Sequence, residues 1–208
     1  NAEQERRIAL FDLKEANTLD SFDDGYVTHY LIDFGKALGV MAKSDRDRTA
    51  GYRYQYDIPP ALLDFVTLGL RGHRWNGLRD PDLVGVGLID SEHFNPGDWK
   101  PLFPYWPLFE YDRFDAFWGT KLLMRLRPHE LKAIVEEAQL SDPRAADYLV
   151  KTLLHRQRAT GRYWFERVAP LDAFAVETTA GDPRLCFTDL SLHYILTESP
   201  TSYAIDAF

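Results

Sequence analysis

The alternation of hydrophobic and polar residues changes character twice along the 208 residues. Two short alternating runs, TLDSF and YVTHYLID, flank an Asp-Gly pair between Thr18 and Asp33. They predict a β-hairpin, because Asp-Gly favours the tight turns that match the twist of paired strands. From Asp115 to Val168 apolar residues recur every three to four positions, which predicts amphipathic helices. After Pro170 the alternation returns in LDAFAVE, RLCFTDLSLHYIL and SYAIDAF, which predicts strands.

Proline, glycine and capping residues divide the helical part into separate elements. PPALLDFVTLGLRG predicts a short helix from about Ala61 to Leu70, since proline favours helix starts and glycine favours helix ends. A second helix begins at Asp115 and is stopped by Pro128, which opens a third helix over PHELKAIVEEAQL. SDPRAADYLVKTLLHRQRATGRYWFERV predicts a fourth helix with an N-terminal Ser or Asp cap. We expect DLVGVGLID to be a buried strand or an extended loop, and the proline-rich, aromatic HFNPGDWKPLFPYWPLFEYDRF to be irregular.

Together these patterns predict an α+β protein in two parts. Residues 1–169 form a mainly helical domain with an N-terminal β-hairpin, and residues 170–208 form a small antiparallel β-module. The net charge of −8 argues against broad binding to nucleic acid or to an anionic membrane, because the phosphate contribution would be repulsive. No apolar run approaches the roughly 20 residues of a transmembrane helix, so we expect a soluble chain. Its one cysteine excludes an intrachain disulfide and a thiolate zinc cluster.

The residues that suggest chemistry lie on either side of the predicted hairpin. Asp12, Lys14 and Asn17 precede it with the spacing D-x-K-x-x-N, and Asp33 follows it in the triplet Asp-Phe-Gly. Phosphoryl transfer requires oxygen ligands for Mg²⁺, a carboxylate near the acceptor and a cation that offsets the developing negative charge. A loop of this composition, beside a hairpin that returns an aspartate, supplies each of these groups.

This arrangement resembles the catalytic core of the protein-kinase-like superfamily. The resemblance implies that Asp12 orients the acceptor hydroxyl, that Lys14 contacts the γ-phosphate of ATP, and that Asn17 and Asp33 bind Mg²⁺. Leu-Phe stands before Asp12 where typical protein kinases carry His-Arg, and no Ala-Pro-Glu triplet follows the hairpin. The resemblance is therefore to an atypical branch, and it does not identify the phosphate acceptor.

The position of the motif bears on activity. Only eleven residues precede Asp12, too few for the glycine-rich loop and the ATP-anchoring lysine of the family. The resemblance implies a C-lobe whose nucleotide-binding lobe lies upstream, and we expect phosphoryl transfer in the full-length parent but not in this piece alone. Because the sequence starts with Asn, we expect a processed product or a fragment, and its compartment is left open.

Two other interpretations stay open. In the first, the chain is a non-catalytic interaction protein on the same scaffold, with a protein partner at the β-module and the acidic loop merely solvated. In the second, an enzyme of another class uses a bare divalent-metal site made of Asp12, Asp20, Asp23, Asp24 and Asp33. We expect His29 to be an ordinary strand residue rather than a metal ligand, since lone strand histidines mostly have structural roles.

Overall fold

A computed structural model describes three strands near the N-terminus, within residues 7–10, 18–23 and 26–31, and most of the chain from residue 48 onward. The further described residues are 48–49, 51–54, 56, 58–100, 111–179, 182–198 and 201–204. Within these ranges the protein is built from helices and antiparallel strands. The predicted α+β class is thus confirmed.

The first sheet has three antiparallel strands in the order β1-β2-β3. The strands are β1 (Arg7–Leu10), β2 (Thr18–Asp23) and β3 (Tyr26–Leu31). β2 and β3 form the predicted hairpin, with Asp23 opposite Tyr26. β1 pairs with β2 and is not among the predicted elements, because four residues are too few for an alternating pattern to be recognised.

Between the first sheet and residue 170, the described residues form four α-helices, and all four were predicted, with ends shifted by a few residues. They are α1 (Ile58–Val66), α2 (Arg113–Arg125), α3 (Pro128–Glu137) and α4 (Pro143–Phe165). α2 starts before the predicted Asp115 because Asp112 is its N-cap, accepting hydrogen bonds from the backbone N–H groups of Phe114 and Asp115. α4 is capped by Asp142, as the sequence suggested. A short 3₁₀-helix at Arg74–Gly77 was not predicted.

The C-terminal residues form two strands and one short helix. β4 (Leu171–Thr179) and β5 (Asp182–Asp189) are antiparallel, as predicted, and are followed by α5 (Leu190–His193). The prediction that the strand pattern continues through LSLHYIL is wrong, because the Asp189 side chain caps a helical turn by accepting from the Leu192 N–H. Residues 202–204 of the third predicted strand have no regular structure, and the rest of that strand lies outside the described residues.

Two clusters of buried side chains hold the helices together. The first joins a loop to α3 and α4 through Val86, Ile89, Val135, Ala145 and Leu149. DLVGVGLID was expected to be a buried strand or an extended loop, and the structure shows a loop. None of the helices in the described part of the chain combines the length and apolar composition that a bilayer crossing requires.

The second cluster joins α2, α4 and the residues after β5. It consists of Met124, Phe165, Leu190 and Leu196. Gly161 of α4 allows this close packing, because a Cβ there would lie 2.9 Å from both Met124 Sδ and Leu196 Cδ1. The chain that follows the β4–β5 hairpin thus packs on the helices, whereas the division of the chain near residue 169 stays a prediction.

Candidate functional site

The four residues predicted for phosphoryl transfer, Asp12, Lys14, Asn17 and Asp33, lie outside the described residues. The structure does describe the three strands that connect them in sequence. The register of β1, β2 and β3 is the described geometry nearest to these four residues in the sequence.

The last residue of β1, the first residue of β2 and the last residue of β3 lie at the same end of the first sheet. Leu10, the last residue of β1, is opposite Leu19, and Thr18, the first residue of β2, is opposite Leu31, the last residue of β3. Paired Cα atoms of antiparallel strands are about 4.5 to 5.5 Å apart. The chain therefore leaves β1, enters β2 and leaves β3 within about two strand spacings. In the sequence, D-x-K-x-x-N joins β1 to β2, and Asp33 is the second residue after β3.

The same register bears on the two other candidates near the hairpin. Asp23 ends β2 at the turn, about 17 Å along the strand from Thr18. Of the five aspartates of the bare metal site, Asp20 and Asp23 are among the described residues, and they lie three residues apart along β2. His29 is opposite Asp20 in the middle of the pairing. Within the described residues, no group of three or more His, Cys, Asp and Glu side chains is placed to hold a metal ion.

A separate cleft of about 1190 Å³ lies between loops and helices in the described part of the chain. One wall comes from residues 52–54, 71–75 and 96–100, and the other from α2, Tyr111 and α4. The loop wall depends on Gly51, whose φ of +88° is in the left-handed region. A Cβ at Gly51 would lie 2.9 Å from Trp99 Nε1, so only glycine lets this tryptophan lie against the backbone.

Aromatic rings and paired charges line the loop wall. The rings of His73 and Trp75 are stacked with centroids 4.1 Å apart. Arg74 Nη1 lies 2.7 Å from Asp98 Oδ2, which also accepts a hydrogen bond from Asn95 Nδ2. These contacts join the loop around residue 74 to the turn around residue 97.

The helical wall is held by ring contacts and by the helix cap. Tyr111 meets Trp164 edge to face at 6.1 Å, and Asp112 is engaged with the first N–H groups of α2. Burial raises the pKa of Tyr111, so its hydroxyl stays protonated near neutral pH. The cleft therefore combines ring faces with charged side chains, several of them already bonded to neighbours, an arrangement suited to binding.

A partly buried polar network anchors the loop before the cleft to α4. Asp90 Oδ2 lies 2.5 Å from His93 Nδ1, and Arg156 donates from Nε to the Asp90 backbone carbonyl. The Tyr148 hydroxyl donates to the Ile89 carbonyl at 2.6 Å. Burial lowers the pKa of Arg156, opposed by the negative charge of Asp90. Because the charged groups are turned toward one another, this network serves to fix the loop on α4.

The cleft and the network were not predicted from the sequence. Their residues are isolated in the chain, and they come together only through long-range packing. The abundance of aromatic residues was the one available signal. Comparisons with protein-family models, with curated proteins and with solved structures each found no match to this chain. The resemblance to kinase-like proteins therefore depends on the residues from Asp12 to Gly35 alone.

Proposed function

We propose that this chain is the C-lobe part of an atypical kinase-like phosphotransferase whose reaction centre adjoins the end of the first sheet where β1 and β3 finish. The observation that carries the proposal is the register of the three strands, which brings together the chain ends that flank both halves of the motif. The same residue types would not suggest a shared site if the register placed the strand ends that flank them at opposite ends of the sheet.

The proposed roles follow from the chemistry of each residue. Amide and carboxylate oxygens suit a hard cation, so Asn17 and Asp33 are the proposed Mg²⁺ ligands. Asp12 would accept a hydrogen bond from the acceptor hydroxyl and orient it, while the Lys14 ammonium would offset negative charge on the transferring phosphoryl group. ATP bound with Mg²⁺ would supply that group, and the nucleotide-binding lobe is proposed to lie upstream.

The metal site is the first part to test, because it lies within this chain. Mn²⁺ is a suitable probe in place of Mg²⁺, and its binding is measured by electron paramagnetic resonance. We expect Asp33→Asn to weaken Mn²⁺ binding at least about 10-fold, since the one negatively charged ligand of the proposed pair becomes neutral. Asp23→Asn, the same change at the other end of the hairpin, serves as the control. Equal binding by both variants and the parent chain would contradict the assignment.

Nucleotide binding is tested in the protein produced with its native upstream residues. A ligand that binds only the folded state raises the stability, by about 2.7 kcal/mol at 100 times its dissociation constant. We expect Mg-ATP to raise the melting temperature of that protein and Asp33→Ala to abolish the shift. An unchanged melting temperature at saturating Mg-ATP would refute nucleotide binding.

A second candidate is a non-catalytic interaction protein on this scaffold. It is favoured by apolar side chains on the β4–β5 hairpin, where Phe174, Val176 and Leu185 are about half exposed or more. Val176 is directly opposite Leu185, so the two form one continuous apolar patch. This candidate predicts no thermal shift with Mg-ATP, and the same melting experiment therefore separates it from the phosphotransferase.

A further inference from the structure

Helix α1 carries its apolar residues on the side that faces away from the protein. Ile58 and Phe65 are each 77% exposed, and Leu62 and Val66 are 61% and 69% exposed. Their spacing of four, three and one residues places all four on one stripe of the helix. No residue of α1 is buried. The helix is thus oriented opposite to an ordinary surface helix, whose apolar stripe faces the core.

Polar contacts on the inner side account for this orientation. Asp64 Oδ1 lies 3.1 Å from His73 Nε2, and both side chains are largely shielded from solvent. The pair has an ion-pair distance but lacks the alignment of a hydrogen bond. His73 is in turn stacked on Trp75, one of the rings of the cleft wall. Among the described residues, the inner side of α1 makes this polar contact while its apolar stripe is left exposed.

The turn after α1 carries two further exposed leucines. The Gly69 N–H donates to the Asp64 carbonyl at 2.8 Å, and the Leu68 N–H donates to the Phe65 carbonyl at 3.1 Å. These two bonds close the helix in a Schellman motif, with Leu68 at the left-handed position, where φ is +51°. Leu68 and Leu70, which follow the helix directly in sequence, are 84% and 87% exposed.

The extent of this surface is what a stable dimer requires. A well-exposed leucine, isoleucine, valine or phenylalanine presents roughly 100 to 200 Å². The surface formed by Ile58, Leu62, Phe65, Val66, Leu68 and Leu70 therefore amounts to on the order of 800 Å². A standard protein interface buries about 800 Å² on each partner, whereas monomers rarely expose so large an apolar patch.

We propose that this α1 surface is the interface between two copies of the chain. A two-fold interface brings the same patch of each copy together, so the patch must be self-complementary. The stripe meets this condition because its residues are uncharged and the Asp64 carboxylate is turned inward toward His73. The net charge of −8 makes two copies repel at long range, and we therefore expect added salt to strengthen the dimer by screening.

The experiment measures the mass of the full chain in solution. Sedimentation velocity over a concentration series up to about 100 μM covers dissociation constants in the micromolar range. We expect a concentration-dependent shift from 24.0 kDa to twice that mass. Leu62→Lys should weaken the dimer by roughly 100-fold or more, because the symmetry introduces the lysine twice into the apolar interface. Circular dichroism checks that each variant is folded.

Ile134→Lys is the matched control. Ile134 is 57% exposed on α3, close to the 61% of Leu62, and the same charge is introduced on a helix. Loss of the dimer in Leu62→Lys but not in Ile134→Lys supports the proposal, and Phe65→Lys provides an independent repeat at the same surface. A parent chain that is monomeric at every concentration overturns it. A dimer that survives Leu62→Lys, or that both lysine variants weaken equally, also overturns it, as does a monomer that instead binds phosphatidylcholine vesicles through α1.

Discussion

Gln157 of α4 forms hydrogen bonds with the C-terminal end of α2, and replacing this glutamine tests how the two helices are packed. The side chain is buried, and its Nε2 donates to the backbone carbonyls of Leu123 and Leu126, each at 2.8 Å. The last carbonyls of an α-helix lack most of their partners within the helix, although the Leu123 carbonyl also accepts from the backbone N–H of Leu126. Gln157 therefore does for the C-terminus of α2 what a capping residue does at other helix ends.

Gln157→Leu keeps a side chain of similar size but removes both donors. Each hydrogen bond contributes about 1 kcal/mol net, and an acceptor left buried without a partner costs about 1 to 3 kcal/mol. The added apolar burial of leucine offsets part of the loss. We expect the free energy of unfolding to fall by about 2 to 4 kcal/mol.

Urea unfolding followed by circular dichroism measures this change. We expect a lower midpoint with an unchanged slope, since the surface exposed on unfolding is the same. His155→Leu places the same side chain at an exposed position of α4 and should change the stability by no more than about 0.5 kcal/mol. If Gln157→Leu is also within about 0.5 kcal/mol of the parent protein, the two carbonyls do not depend on this glutamine and the reasoning fails.

Three further predictions concern the helix ends and one ion pair. Gln139, exposed after α3 with φ of +49°, should give way to glycine with a gain of about 0.5 to 1 kcal/mol in urea unfolding, because glycine avoids the left-handed penalty; a loss would contradict this. The Arg127 guanidinium, followed by the Arg127 backbone N–H, lowers the pKa of Glu130 to about 2. Arg127→Met should raise that pKa in a carboxyl-carbon NMR titration, and a value still near 2 would disprove the cause. Lys121 Nζ lies 2.7 Å from Asp172 Oδ2 and lowers the pKa of Asp172, so their pairing stabilises the fold above the unfolded pKa of about 3.9 and is lost as pH falls through the folded pKa. Lys121→Met should thus be less stable than the parent at pH 7, by a margin that shrinks as pH falls through the folded pKa of Asp172, and a constant difference would refute the pairing.

The fold elements that the sequence predicted are those with a local cause. α2, α3 and α4 show helical spacing together with proline or aspartate at their starts, and the hairpins show alternation around turn residues. α5 was missed because LSLHYIL alternates like a strand, while its helical turn depends on one cap at Asp189. The direction in which α1 faces was not predictable, since it depends on the contact between Asp64 and His73 and not on the helix pattern.

The two candidate sites likewise differ in whether a local sequence pattern predicts them. The motif for phosphoryl transfer lies within about 25 residues of sequence, so its pattern was visible without a structure. The cleft combines Tyr52, Trp75, Trp99 and Trp164, which are separated by 23 to 65 residues along the chain. Such a set has no spacing signature, because only tertiary packing brings its members together.

The β4–β5 hairpin begins and ends at one point of the helical body. The Leu190 N–H donates to the Pro170 carbonyl at 2.8 Å, and Leu190 then enters the buried cluster with Met124 and Phe165. Arg158 and Arg162 of α4 hold the carbonyls of the residues that follow. The β4–β5 hairpin is thus inserted between two chain segments, α4 and the residues from Leu190 onward, that contribute to the same buried cluster. The length and outer surface of this hairpin can therefore change without removing residues from the cluster. A chain that ended before Leu190 would lack the cluster residues Leu190 and Leu196.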